Sequence, residues 1–160
     1  MRIKNRESGN ALIEFSLSII AMTLLMIGTF QFGYAFYVYN QLQAAVRSGA
    51  RFAASQDYQL NVNNQGNPSA TCQQKMIDNV KNVVVYGTQS PPNNAVPIVR
   101  GLATSNVAVN YNEDDNSFPL RVDVWITNFS ISSIGGSFSI NGKPFAQMPY
   151  IGLFQPVSNC

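Results

Sequence analysis

A chain of 160 residues has room for a membrane segment and one modest domain. Only 11% of its residues are charged and the net charge is +2, well short of the ~25% charged residues of an average soluble chain. Beyond the first few residues no Lys/Arg cluster offers a nucleic acid a surface. With no His in the chain, the commonest general base and metal ligand are missing, and no Ser/His/Asp, Cys/His or phosphate-loop pattern occurs. Composition therefore argues against an enzyme, a cofactor or a metal centre.

The chain opens on Arg2, Lys4 and Arg6 with Glu7 beside them, then runs Gly9-Asn10-Ala11-Leu12-Ile13-Glu14-Phe15. Residues 15–39 carry no charged side chain, and about 25 residues of helix span ~37 Å, enough for a ~30 Å hydrocarbon core with some tilt. A cleavable secretory signal has a much shorter apolar core, and no small-residue cleavage site follows this one. The basic flank stays cytoplasmic by the positive-inside rule, so everything after Asn40 is expected across the membrane. Phe30, Tyr34 and Tyr37 share one helical face and Phe32, Phe36 and Tyr39 its neighbour, the pattern of an interfacial aromatic belt. Glu14 can sit in the headgroup region and favour the helix start. With Gly9 and the basic leader beside it, a functional role for this carboxylate is the stronger expectation.

Nothing breaks the helix at the membrane surface. Residues 41–55 contain good helix formers, no Pro and one Gly. Ala45, Gly49 and Ala53 recur every fourth residue, a stripe of small side chains where another backbone can approach closely. One helix of about 45 residues, ~67 Å long, is predicted over 11–55.

A polar connector at 56–68 reads as an exposed loop. A second helix is predicted from Ser69 to about Tyr86, stopped by Gly87, with Met76, Val80, Val83 and Val84 buried. The Pro/Asn-rich stretch 89–97 cannot be the interior of a helix or strand. Val107, Val109 and Tyr111 alternate in a strand ending at Glu113, and Val122, Val124 and Ile126 alternate in a second over 118–128. The Glu113-Asp114-Asp115 turn between them lacks the ligand spacing of a calcium loop. A weak run at 138–140, the turn Asn141-Gly142 and a last strand within 145–154 complete the pattern. Cys72 and Cys160 are too few for a zinc site and suit one disulfide on the oxidising side of the membrane. The predicted fold is α+β: a long N-terminal transmembrane helix entering a small head with one further helix and three or four antiparallel strands.

The segment from Gly9 to Phe15, followed by the apolar run, resembles the start of TadE-like proteins, pilin-like minor subunits of tight-adherence (Flp-type) pilus systems. Ala44-Ala45-Val46-Arg47-Ser48-Gly49-Ala50-Arg51-Phe52-Ala53-Ala54 is similar to that family's Ala-rich segment. The resemblance covers residues 8–55 and leaves the head unmatched. It implies a leader at 1–9 cut after Gly9 by a prepilin peptidase, with Asn10 as the mature N-terminus, and a helix over 10–55 with its membrane segment at 15–39. It also implies that Glu14, the fifth mature residue, serves subunit pairing. Asn10 departs from the Phe usual at this position in ordinary type IV pilins. The implied partners are other pilin-like subunits, an inner-membrane assembly platform and the bilayer, with the 56–160 head periplasmic or extracellular. The alternatives are a signal-anchored periplasmic scaffold or binding protein, which would keep residues 1–9, and the main subunit of a filament.

Overall fold

The computed structural model describes residues 6–61, 70–114, 119–133, 136–152 and 154–157. The fold is α+β. Helix α1 runs unbroken from Arg6 to Ser55, 50 residues, or about 75 Å. It starts five residues ahead of the position expected from the apolar run. Between Arg6 and Ala11 there is no Pro, and Gly9 alone costs a long helix only ~1 kcal/mol.

The rod has two unlike halves. From Gly9 to Tyr37 almost every residue is exposed, with Leu12, Phe15, Met22, Leu25 and Phe32 among the bare large side chains. From Val38 onward one face disappears into the head: Val38, Leu42, Ala45, Val46, Gly49, Ala50, Ala53 and Ala54 are all buried. Their spacing of three and four is that of a single helical stripe. Leu42 and Val46 are the large side chains in it.

Helix α2 (Ala70–Tyr86) packs on this stripe. It buries Met76, Val80, Val83 and Val84, as its periodicity predicts, and also Val85. Lys75 and Asp78 face outward. Its end is set by Gly87, whose φ of 75° is a left-handed conformation that stops a helix, and whose N–H bonds to Val83 O at 2.9 Å. The crossing is tightest at Gly49, where an added Cβ would collide with Val84 Cγ2 and lie 3.8 Å from the Val80 carbonyl oxygen.

The main sheet has the order β2 (Val107–Glu113), β3 (Pro119–Ile126), β6 (Phe145–Pro149), all antiparallel. Val109 faces Val124, which in turn faces Ala146. Val122, Val124 and Ile126 are fully buried against α1, which touches both β3 and β6, while α2 touches β2. The hairpin β4 (Phe129–Ser133) and β5 (Gly136–Ile140) forms a second, two-stranded antiparallel sheet. Asn141-Gly142 turns the chain as expected, Gly142 at φ 75° donating its N–H to Ile126 O at 2.8 Å.

Three features differ from expectation. The connector after α1 contains a strand, β1 (Tyr58–Asn61), which pairs in parallel with β7 (Phe154–Val157). The predicted last strand over 145–154 is two strands, because the chain leaves the sheet after Tyr150, whose N–H still bonds to Leu120 O of β3 at 3.0 Å, to close the end of α1. Ile151 N–H donates to Ala54 O at 2.9 Å and the Tyr150 hydroxyl donates to Gln56 O, satisfying carbonyls that a helix end leaves open. The third is β4, which lies between the predicted strand over 118–128 and the run at 138–140, where no element is expected. The Cys72 side chain and Cys160 lie outside the described residues, as does Asp115.

Two expected outcomes follow from this packing. Gly49→Ala should lower the unfolding free energy by about 1–3 kcal/mol, the usual cost of overpacking, in urea titrations in detergent followed by Trp125 fluorescence. In a Val84→Ala background, where Cγ2 is gone, the same change should cost much less. Equal costs in the two backgrounds would show that this contact does not set the crossing.

Tyr111, between α2 and the sheet, has its hydroxyl pushed well above the usual 10.0, by burial first and by Tyr150 second. The folded state therefore keeps a proton that the unfolded chain releases. Its stabilising effect is complete below about pH 10 and is lost as pH rises above that value, by at most ~1.4 kcal/mol per unit. Melting temperatures measured from about pH 8 to about pH 11 should fall on the alkaline side, and Tyr111→Phe should flatten the fall. An equally steep fall in Tyr111→Phe would remove this account.

Candidate functional site

The candidate processing, pairing and packing residues of the sequence lie on α1: Gly9, Asn10, Glu14 and the small-residue stripe. Among the described residues no three His, Cys, Asp or Glu side chains come together. Asp123 is the buried charged side chain there; its neighbours reach one carboxylate oxygen, Oδ2, while Oδ1 is buried without a hydrogen-bond partner among the described residues. Asn112 Nδ2 donates to Oδ2 at 2.6 Å, and Arg121 Nε lies 3.8 Å from the same oxygen. This is a cross-strand polar cluster on the sheet.

The bare half of α1 is a continuous apolar surface. One helix among the described residues, at Gly9–Ser55, is long and apolar enough to cross a membrane, and its most apolar stretch has nothing packed on it. Every hydroxyl of Ser or Thr in the apolar run is internally satisfied. Ser16, Ser18, Thr23 and Thr29 donate to the carbonyls of Leu12, Glu14, Ile19 and Leu25 at 2.8–2.9 Å. In hydrocarbon an unsatisfied polar group costs several kcal/mol, and back-bonding of this kind removes the cost. The Ser and Thr side chains of the run are thus compatible with a solvent that cannot hydrogen-bond.

Gly9, Asn10 and Glu14 lie in the first turns of the described helix, all exposed, and among the described residues a Cβ added at Gly9 would meet nothing within 4 Å. Among the described residues Glu14 receives no side-chain partner from its own head, which begins at Val38, nearly seven turns (~36 Å) further on. The small-residue stripe is placed differently: Ala45, Gly49 and Ala53 are covered by α2 and the sheet of the same chain. Their sequence spacing marks a close approach but says nothing of which backbone approaches.

The aromatic residues stand at the border of the two halves. Phe30, Phe32, Phe36 and Tyr37 are exposed and Tyr39 is half-buried. Gln41 Nε2 donates to the Tyr37 hydroxyl. A cleft of about 710 Å³ opens here, between Tyr34, Tyr37 and Gln41 of α1, the loop 98–101 and strand β4. No sequence pattern announces it, because its walls come from three separate segments.

Residues 9–51 match the family described as TadE-like protein. The match takes in Gly9, Asn10, Glu14, the whole apolar run and two members of the small-residue stripe, and stops where α1 has entered the head. No curated protein and no solved structure matches the chain.

Proposed function

We propose that this chain is a pilin-like subunit, a minor pilin or pseudopilin, of a Tad-type surface filament or of the machinery that assembles it. The observation that carries the proposal is the continuity of α1. One unbroken helix is a bare apolar rod at its first end and the core of a folded head at its other, and its TadE-like match lies on the rod and the junction. Such a rod can be stored in a bilayer and later exchange lipid for the apolar faces of similar helices. The chemistry is association, not catalysis. The head lies on the periplasmic side of the inner membrane, or outside the cell once assembled, since Arg2, Lys4 and Arg6 favour the cytoplasm. A Cys72–Cys160 disulfide belongs to this topology.

Processing is the step that frees the rod. Cleavage after Gly9 by a prepilin peptidase discards all three leader cations, each of which gains ~1 kcal/mol near anionic lipid and so anchors the helix. Gly9→Val should therefore give a longer protein that stays in the membrane fraction and is missing from sheared surface material. Intact mass and N-terminal sequencing check this. A wild-type protein that retains residues 1–9 would sink the pilin reading and favour the anchored scaffold.

Glu14 would set the register of association. Asn10 gains a charged α-amine on cleavage, and a neighbouring helix docked with an axial offset brings its amine to this carboxylate. In a low-dielectric bundle the pair is stronger than in water, although desolvation takes back much of the gain. Its main effect is selection, because a wrong offset leaves two charges unpaired. Glu14→Ala and Glu14→Gln should insert and be cleaved normally yet co-purify poorly with other pilin-like subunits and with the inner-membrane platform. An interfacial Glu that only aids the helix start contributes ~0.3–1 kcal/mol and leaves assembly normal. Wild-type partner association in both variants would rule out pairing.

A further inference from the structure

The cleft at the border of α1 and the head has a definite depth if the rod sits in a bilayer. A hydrocarbon core of ~30 Å takes about 20 helical residues; begun just after Glu14, it runs out near Tyr34. The walls supplied by α1, from Tyr34 to Gln41, then rise through the headgroup layer. Opposite them lie Arg100, the charged side chain among the lining residues, and Ser130 and Ser132 of β4. The set is rich in donors (one guanidinium, two phenols, two hydroxyls and an amide) and contains no carboxylate. The loop that carries Arg100 also leaves Val96 and Ile98 exposed, at 83% and 46%. Apolar side chains next to a cation suit the boundary between acyl chains and headgroups.

From this arrangement we infer that the cleft holds the phosphodiester headgroup of a phospholipid in the leaflet on the head's side, with Arg100 as its charge partner. The inference rests on the membrane reading of α1. An arginine presents paired N–H donors that match phosphate oxygens, and Tyr34 and Tyr37 place phenols at the level where such rings collect. The volume of about 710 Å³ admits a headgroup with its glycerol. A free phosphate would find the same donors, but only a lipid continues onto the bare apolar surface of Phe30 and Phe32 below.

The test uses the full chain in nanodiscs of phosphatidylcholine with a minority of phosphatidylglycerol, released into native mass spectrometry to count retained lipids. Wild type should keep phosphatidylglycerol in excess of its share in the disc. Arg100→Gln should lose about fivefold of that enrichment, the ratio given by one cation near anionic lipid, while Arg100→Lys keeps most of it. Arg51→Gln, at the far end of the head on an exposed residue, should change nothing. Excess soluble glycerol phosphate should fail to displace the lipid. Equal enrichment in wild type and Arg100→Gln, both inserted and folded by Trp125 fluorescence, would overturn the site, and so would displacement by glycerol phosphate. A wild-type protein that does not enter the nanodiscs would instead remove the membrane reading, and this site with it.

Discussion

The head of this protein exists because α1 brings two other layers within contact distance of its last turns. A small sheet and a single short helix cannot bury enough apolar surface between themselves to offset the entropy of ordering their chains. The stripe from Val38 to Ala54 supplies the missing layer, and its composition fixes the geometry. Large members (Leu42, Val46) and small ones (Ala45, Ala53) share the one buried stripe, and Gly49 lets α2 come close. At Gly49 the approach leaves no room for even a methyl group. Side chains from both helices and from β3, β4 and β6 meet in one contiguous cluster, so loosening α1 loosens everything.

The same interlocking ties the head to the rod mechanically. No break, Pro or left-handed residue interrupts α1 between Gly9 and Ser55. Its far end is closed by Tyr150 and Ile151, which also lead the chain into β7 and its pairing with β1. The head therefore turns and translates with the helix. Under the proposed assembly, an axial register chosen at Glu14 is passed to the position of the head without a hinge to absorb it.

Much of this was legible in the sequence, for identifiable reasons. The uncharged run, the α2 stripe and the alternation of β2 and β3 each express one burial pattern over many residues, and each is found where periodicity places it. What stayed hidden depends on partners distant in the chain. Tyr58–Asn61 has little strand character of its own and becomes β1 because residues 150–152 deliver β7 beside it. Phe129 and Ile131 are buried by contacts with α1 and the main sheet, yet a run of only two apolar residues among Ser130, Ser132 and Ser133 is too short to announce a strand. The cleft at residues 34–41 has walls from three segments, and no local pattern records such a meeting. Gly9 and Glu14 are the reverse case: their sequence setting is informative, while among the described residues both stand exposed.

That exposure is itself a constraint on association. In a membrane helix, small residues mark where a second backbone can come close, and α1 carries its most regular set at Ala45, Gly49 and Ala53. Those positions are already taken by the chain's own α2 and sheet, and displacing them would unfold the head. A partner helix under the proposed assembly must therefore bind toward the first end, on the surface from Gly9 to Tyr37. There Gly28 and Gly33 have no side chain within 4 Å, flanked by the exposed Leu24, Leu25, Phe30 and Phe32. The Ser and Thr hydroxyls of that segment donate to their own backbone, so they have no donor left for a partner. Packing along this apolar stretch is driven mainly by shape, which tolerates sliding along the axis. A contact of that kind needs a separate element to choose one offset from several, and Glu14 is the charged side chain that this surface presents.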